Sequence, residues 1–193
     1  MCVDDSLITG IFIADIGSIK SSLHNAFSMT DLGLLKQFLG LEIEQCNAGT
    51  KVIQSKYALD LSLNLKISEC RPSKCPFLSG FKLCDFGSSP LVDNSLYMQR
   101  VGRILYLTHS WPDLEYVVGI VYRYMKKLHE IHGKAAKRIL HYVQRTKHFG
   151  VHYDDGSPLE LVGFTDSDWD GDCLDRNSTL GYRFILAHGP IYC

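Results

Sequence analysis

Two clusters of aspartates and one row of cations hold most of the reactive chemistry in this 193-residue chain. Asp4 and Asp5 are adjacent, just ahead of an apolar run that begins at Leu7. Carboxylates beside apolar chain are costly unless something cationic binds them. A two-metal phosphoryl-transfer centre uses such groups, because several carboxylates must converge on ions about 3.5–4 Å apart. Adjacent side chains of a strand–turn–strand point to opposite faces, so only one of the pair can aim directly at a given metal position. Taken alone, the pair reads as an exposed polar turn. The second cluster, FTDSDWDGD, sets Asp166, Asp168, Asp170 and Asp172 at alternate positions, where they repel unless a cation or water separates them. A calcium loop starting at Asp166 would have Gly171 at its sixth position, as required. Its twelfth position is Asn177 instead of Glu, and no flanking helix is apparent.

The cations are Lys134, Arg138, His141 and Arg145, spaced 4, 3 and 4 residues apart. On a helix that spacing makes one stripe, opposite Ala136, Ile139 and Val143. Lys137 flanks the stripe, and Arg123, Lys126 and Lys127 extend the positive charge onto the preceding segment. Such a face can neutralise several phosphates without reading sequence. It can also be the solvated side of an ordinary amphipathic helix. The net charge of -1 hides an asymmetry: residues 123–147 hold eight Lys/Arg and one acid, and residues 154–175 hold eight acids and no Lys/Arg. That juxtaposition suggests a polyanion-binding surface beside a metal-binding one.

Composition limits the setting. A chain with 46% hydrophobic and 21% charged residues is globular, not disordered. No run reaches the roughly 18 apolar residues that cross a bilayer, so no membrane partner is expected. The amino-terminal segment has carboxylates instead of a basic region and does not read as a secretory signal. The expected location is therefore intracellular, with the seven cysteines reduced. Cys70, Cys75 and Cys84 fit no common zinc spacing.

The elements that would position these groups follow from hydrophobic period. Leu7–Ile13 reads as a strand after a tight turn and Ser18–Met29 as a short helix. Gln37–Glu44 and Lys51–Ile53 read as a hairpin around Asn47-Ala48-Gly49-Thr50. A helix follows over Ser55–Leu65, then a Pro- and Gly-containing linker or surface loop over 71–93. Three helices are expected over Asn94–Thr108, Asp113–Lys127 and His132–Arg145. Strands are expected over Phe149–Tyr153, Leu159–Thr165 and, last, Gly181–Ala187.

Six collinear blocks give these pieces a resemblance. CVDDSLITG is similar to the Tyr-Val-Asp-Asp motif of copia-type retrotransposon reverse transcriptases, with Cys2 in place of Tyr. MTDLGLLKQFLGLEIEQ, VIQSKYALDLSLNL, YMQRVGRILYLTHSWPDLEYVV, AAKRILHYVQRT and GFTDSDWDGDCLDRNSTLGYRFIL resemble later blocks of the same Pol polyproteins, in order. Trp111 stands where that family usually has Arg, and Gly133 where it has Trp; both read as drift.

The resemblance implies an α+β chain of three parts. These are a partial palm with its hairpin (1–53), thumb and connection helices (54–148) and a truncated RNase H-like β-unit (149–193). It implies that Asp4 and Asp5 are polymerase metal ligands and that Asp166 is the first RNase H carboxylate, with Mg2+ as the cofactor. Phe38, Leu39 and Gly40 would lie near the primer end. Lys134, Lys137, Arg138 and Arg145 would contact the backbone of an RNA/DNA template-primer. The family's remaining carboxylates are expected upstream and downstream of these residues, so the chain is expected to be catalytically inactive alone. Two further readings are open: a piece of a longer active polyprotein, and a non-catalytic nucleic-acid-binding module. Self-association is expected through unpaired edges of the strands Leu7–Ile13 and Gly181–Ala187, with poor solubility of the full chain and better behaviour of residues 54–148.

Overall fold

The computed structural model describes residues 6–77, 83, 94–125, 128–168 and 179–192, and for residues 167, 168, 179, 180 and 192 the backbone alone. Among these the chain is mixed helix and sheet, as its period implies. The first helix, α1, spans Ile13–Ala26 and follows an irregular segment instead of the expected strand. A short apolar run cannot be told from a buried helix or strand by period alone. Gly10 interrupts this run, and Ile11, Phe12, Ile13 and Ile16 continue into helical spacing. Asp15 in the first turn and His24 in the last complement the helix dipole. None of the residues of α1 is buried.

The expected strand over Gln37–Glu44 is two strands, β1 (Gln37–Phe38) and β2 (Leu41–Cys46). The two residues between them, Leu39 and Gly40, have φ of 48° and 79°. Positive φ at both centres is the signature of a two-residue hairpin turn of the primed kind. β3 (Gly49–Ile53) and β4 (Gly150–Asp154) complete an antiparallel sheet ordered β1-β2-β3-β4. β4 is therefore paired with β3 across the 148/149 division drawn from sequence. Where β4 passes Gly49, a Cβ on that glycine would lie 2.1 Å from the Tyr153 carbonyl oxygen.

The core belongs to the helices. α2 (Ser55–Asn64), α3 (Asn94–Leu107), α4 (Pro112–Arg123) and α5 (Glu130–Thr146) bury Leu61, Val101, Ile104, Leu107, Leu114, Val118, Val121, Ile139 and Val143 in one cluster. Trp111 is 1% exposed within it, and its indole Nε1 donates to Thr146 Oγ1 at 3.2 Å. Trp111 is thus a core anchor with a satisfied N–H, not drift. Gly133 faces open space, where an added Cβ would touch nothing within 4 Å. Gln54, fully buried, donates to the Tyr106 carbonyl at 3.1 Å and accepts from Ser110 Oγ at 2.7 Å, tying the β3–α2 corner to both ends of the α3–α4 turn.

The last sheet is antiparallel, ordered β5 (Val162–Asp168), β6 (Thr179–Leu186) and β7 (Gly189–Tyr192). The strand expected over Gly181–Ala187 is followed by another, because Ala187 and His188 turn with φ of 47° and 62°. β6 is paired on both sides, so its edges are not the free ones expected; β5 and β7 are the edge strands, and β7 lies toward β4. The Asp154 N–H donates to the Ala187 carbonyl at 3.1 Å, and the Tyr153 hydroxyl to the Pro190 carbonyl at 2.7 Å, joining β4 to this hairpin. No helix among the described residues is long and apolar enough to cross a membrane.

Candidate nucleic-acid interface

The apolar stripe of α5 decides where its cations go. Ala135, Ala136, Ile139, Leu140 and Val143 are buried, which turns Lys134, Lys137 and Arg145 outward. Arg138 lies half-buried between these two faces, and its Nη2 donates to Cys75 Sγ at 3.1 Å. Lys134 also reaches Glu130 one turn earlier at 2.9 Å, an exposed pair that holds the side chain only weakly.

The 71–75 segment docks against this face. The Ser73 N–H donates to the His141 carbonyl at 3.1 Å, and Ser73 Oγ to the Cys75 carbonyl at 2.8 Å. Just before it, Gln144 Nε2 donates to the Ser68 carbonyl at 2.6 Å. Helix and loop together enclose a cleft of about 890 Å3. Arg71 and Lys74 line one wall; Lys134, Lys137, Arg138, His141 and Arg145 line the other. No acidic residue and no Phe, Tyr or Trp is among the lining. Burial, then the charges of Lys137 and Arg138, push the His141 pKa below its ordinary value, so the imidazole is neutral at pH 7.

At the start of α5, His132 is fully buried and stacked on Tyr124, with ring centroids 4.1 Å apart. Its Nδ1 accepts the His129 N–H at 3.0 Å, which assigns the proton to Nε2, 3.1 Å from the Leu83 carbonyl oxygen. Burial lowers its pKa as well. This histidine is a structural group that ties the residue-83 region to α5.

The hairpin group sits elsewhere in the molecule. Phe38 is half-buried, and Leu39 is 75% exposed at the turn tip. The Tyr106 hydroxyl of α3 donates to the Leu39 carbonyl at 2.5 Å. A Cβ on Gly40 would stand 2.1 Å from that same hydroxyl oxygen, so this position requires glycine on both φ and space. Tyr57 packs edge-on against Tyr106, with centroids 4.7 Å apart.

The carboxylates are not gathered. Asp4, Asp5, Asp170 and Asp172, like Cys84, lie outside the described residues, as does the side chain of Asp168. Asp166 is exposed on β5 opposite Gly181 of β6, which offers no second carboxylate. Asp31 is held below the usual carboxylate range by the Gly33 N–H and by Lys20, 3.0 Å away. Asp154 pairs with His152 Nε2 at 3.1 Å and His188 Nδ1 at 2.9 Å. Among the described residues no group of three or more His, Cys, Asp or Glu could hold a metal ion, so Mg2+ finds no ligand set there. Arg71 and Lys74 were missed in the sequence because they sit in a segment with no period. The only signal was two cations flanking Pro72-Ser73.

Comparison with known proteins bears on the whole chain. The family model described as reverse transcriptase (RNA-dependent DNA polymerase) matches residues 1–79. The retrovirus-related Pol polyprotein from transposon RE1 of Arabidopsis thaliana is 34% identical over 98% of this chain, which spans 13% of that polyprotein. The corresponding protein from transposon TNT 1-94 of Nicotiana tabacum is 30% identical over 98% of the chain, and 15% of its own length is covered. An uncharacterized mitochondrial protein of Arabidopsis thaliana is 34% identical over 96% of the chain and 77% of its own length. No solved structure matches. Sequence blocks, family model and relatives agree that this chain belongs to the reverse transcriptase family of copia-type retrotransposon Pol polyproteins.

Proposed function

We propose that this chain is the hairpin-and-thumb portion of a copia-type reverse transcriptase, which grips the backbone of an RNA/DNA template-primer and does not extend a primer by itself. The observation that carries the grip is the set of cations on α5. Its opposite face is locked in the helical core, so the charges are presented on a rigid support and binding orders side chains but no backbone. The hairpin tip at Leu39-Gly40, held to α3 by Tyr106, supports a second contact near the primer end.

The inactivity is argued from ligand geometry. Two magnesium ions need carboxylates from several strands. Within the 193 residues, Asp4 and Asp5 are adjacent on one segment. The described carboxylate nearest to them in sequence, Asp15, is exposed on α1, and Asp31 is engaged with Lys20. Asp166 would open an RNase H-like unit on β5 and likewise faces no acidic neighbour across the sheet. The described residues therefore supply only part of each carboxylate set.

The grip is tested by titrating a labelled primer–template duplex with the full chain at several salt concentrations. Binding should fall steeply with salt, with a slope of about 0.9 per phosphate neutralised on a duplex. K134A/K137A/R145A should weaken it and flatten the slope. Salt-independent binding, or binding indifferent to these three changes, would refute the proposal.

A further inference from the structure

We propose that the cleft between α5 and the 71–75 segment is a site for the phosphodiester backbone of one unpaired nucleic-acid strand, with Arg71 and Lys74 as its second wall. This rests on the reading of α5 as a nucleic-acid surface and adds the loop, the strandedness and the indifference to base. Three observations lead to it.

The loop is pre-set. Ser73 bonds to the helix backbone, Arg138 holds Cys75, Gln144 holds Ser68, and Pro72 fixes its own φ. The backbone that carries Arg71 and Lys74 is thus fixed before any ligand arrives. The charge is one-sided and exceeds what a single phosphate needs: six Lys/Arg line the cleft, no carboxylate is among the lining, and among the described residues Lys134 alone of the six has an acidic partner, the exposed Glu130. The matching ligand is a chain of anions. Polar valences are also left over at the floor, where Arg138 Nε and His141 Nε2 are buried without a hydrogen-bond partner. A phosphate oxygen is an acceptor for both, the neutral imidazole donating from Nε2 in its Nε2–H tautomer.

Shape selects a single strand. The two walls meet at the Ser73–His141 hydrogen bond, so the floor is closed. A duplex presents two backbones across a groove about 12 Å wide and cannot seat both against such a floor. No Phe, Tyr or Trp is among the cleft's lining, and its one ring, the imidazole of His141, is half-buried at the floor, so bases lack the broad stacking platform most single-strand sites use. Recognition stops at the backbone.

The test uses the full chain and a labelled oligothymidylate, with three double variants and three competitors. R71A/K74A should weaken binding by about tenfold at low salt and reduce the salt slope by about 1.4, or about 0.7 for each lost single-strand phosphate contact. K51A/K56A, a pair of lysines on β3 and α2 away from the cleft, should change neither. An abasic strand of equal length should compete equally; a duplex, which reaches the α5 cations but not Arg71 and Lys74, should compete less well and be indifferent to R71A/K74A; and polyglutamate should compete poorly.

If R71A/K74A binds like the parent while K137A/R145A does not, the cleft proposal falls and the α5 surface stands. If both pairs bind like the parent, both readings fall. Stronger competition by the duplex overturns the strandedness, loss of competition by the abasic strand overturns the base-independence, and equal competition by polyglutamate overturns nucleic acid as the ligand. Circular dichroism of each variant separates lost binding from lost fold.

Discussion

At the residue scale, two buried side chains and one half-buried one have effects that can be measured. Trp111 fills the junction of α3, α4 and α5. Trp111→Ala should destabilise the chain by about 3–5 kcal/mol, as large-to-small changes of buried aromatics do, read as a lower urea midpoint. Trp111→Phe should cost less, losing the bond to Thr146 and part of the volume. His132 and His141 give stability a pH dependence of known sign. Burial lowers both pKa values, so the unfolded chain binds more protons than the folded one. Stability should be full above the unfolded histidine pKa of about 6.5 and fall as pH drops below it toward the folded values. Thermal melts from pH 7.5 to 5 should show this slope, and His132→Gln should reduce it. A melting temperature that rises on acidification would show that the imidazoles are not held neutral.

The hairpin turn is an effect of the element scale. Leu39-Gly40 is a turn that local sequence does not demand, since Asn-Gly or Gly-Gly are its usual occupants. Tertiary structure holds it: Tyr106 takes the Leu39 carbonyl and occupies the space beside Gly40. Gly40→Ala should cost about 1–3 kcal/mol, from positive φ and the clash together. Tyr106→Phe removes the clashing oxygen, so G40A/Y106F should be less destabilised than the sum of the singles. A double-mutant cycle in urea reads this coupling, and strict additivity would contradict it.

The same contrast explains what the sequence could reveal. The helix over His132–Arg145 was legible because Ala136, Ile139 and Val143 recur at helical spacing; the structure only lengthens it to Glu130–Thr146. The β1–β2 turn, the burial of Trp111 and the loop wall of the cleft depend on residues distant in sequence, and no local pattern announces them. The run Leu7–Ile13 failed for a different reason. It is short and apolar, and Gly10 divides it, so strand and helix-start fitted it equally well.

On the scale of the whole molecule, apolar surface is unevenly distributed. The core is tight around α2–α5, while Ile11, Phe12, Ile13, Phe27, Leu32 and Leu34 are all more than 60% exposed. Exposed apolar patches of this kind drive association. The full chain should therefore self-associate chiefly through residues 7–34, with the β5 edge a lesser contributor. Removing residues 1–34 keeps both sheets and all of the buried core, and should give a more monodisperse protein by light scattering. Unchanged association would move the cause to the β5 edge or elsewhere.

The most direct test of the whole account is one reaction: the full chain, a labelled DNA primer on an RNA template, all four deoxynucleoside triphosphates, and Mg2+ or Mn2+ at low salt. The account predicts that the primer is retained in a salt-sensitive complex and recovered at its original length. Primer extension that is abolished by Asp4→Ala would contradict it, because these residues would then be assembling a complete two-metal centre.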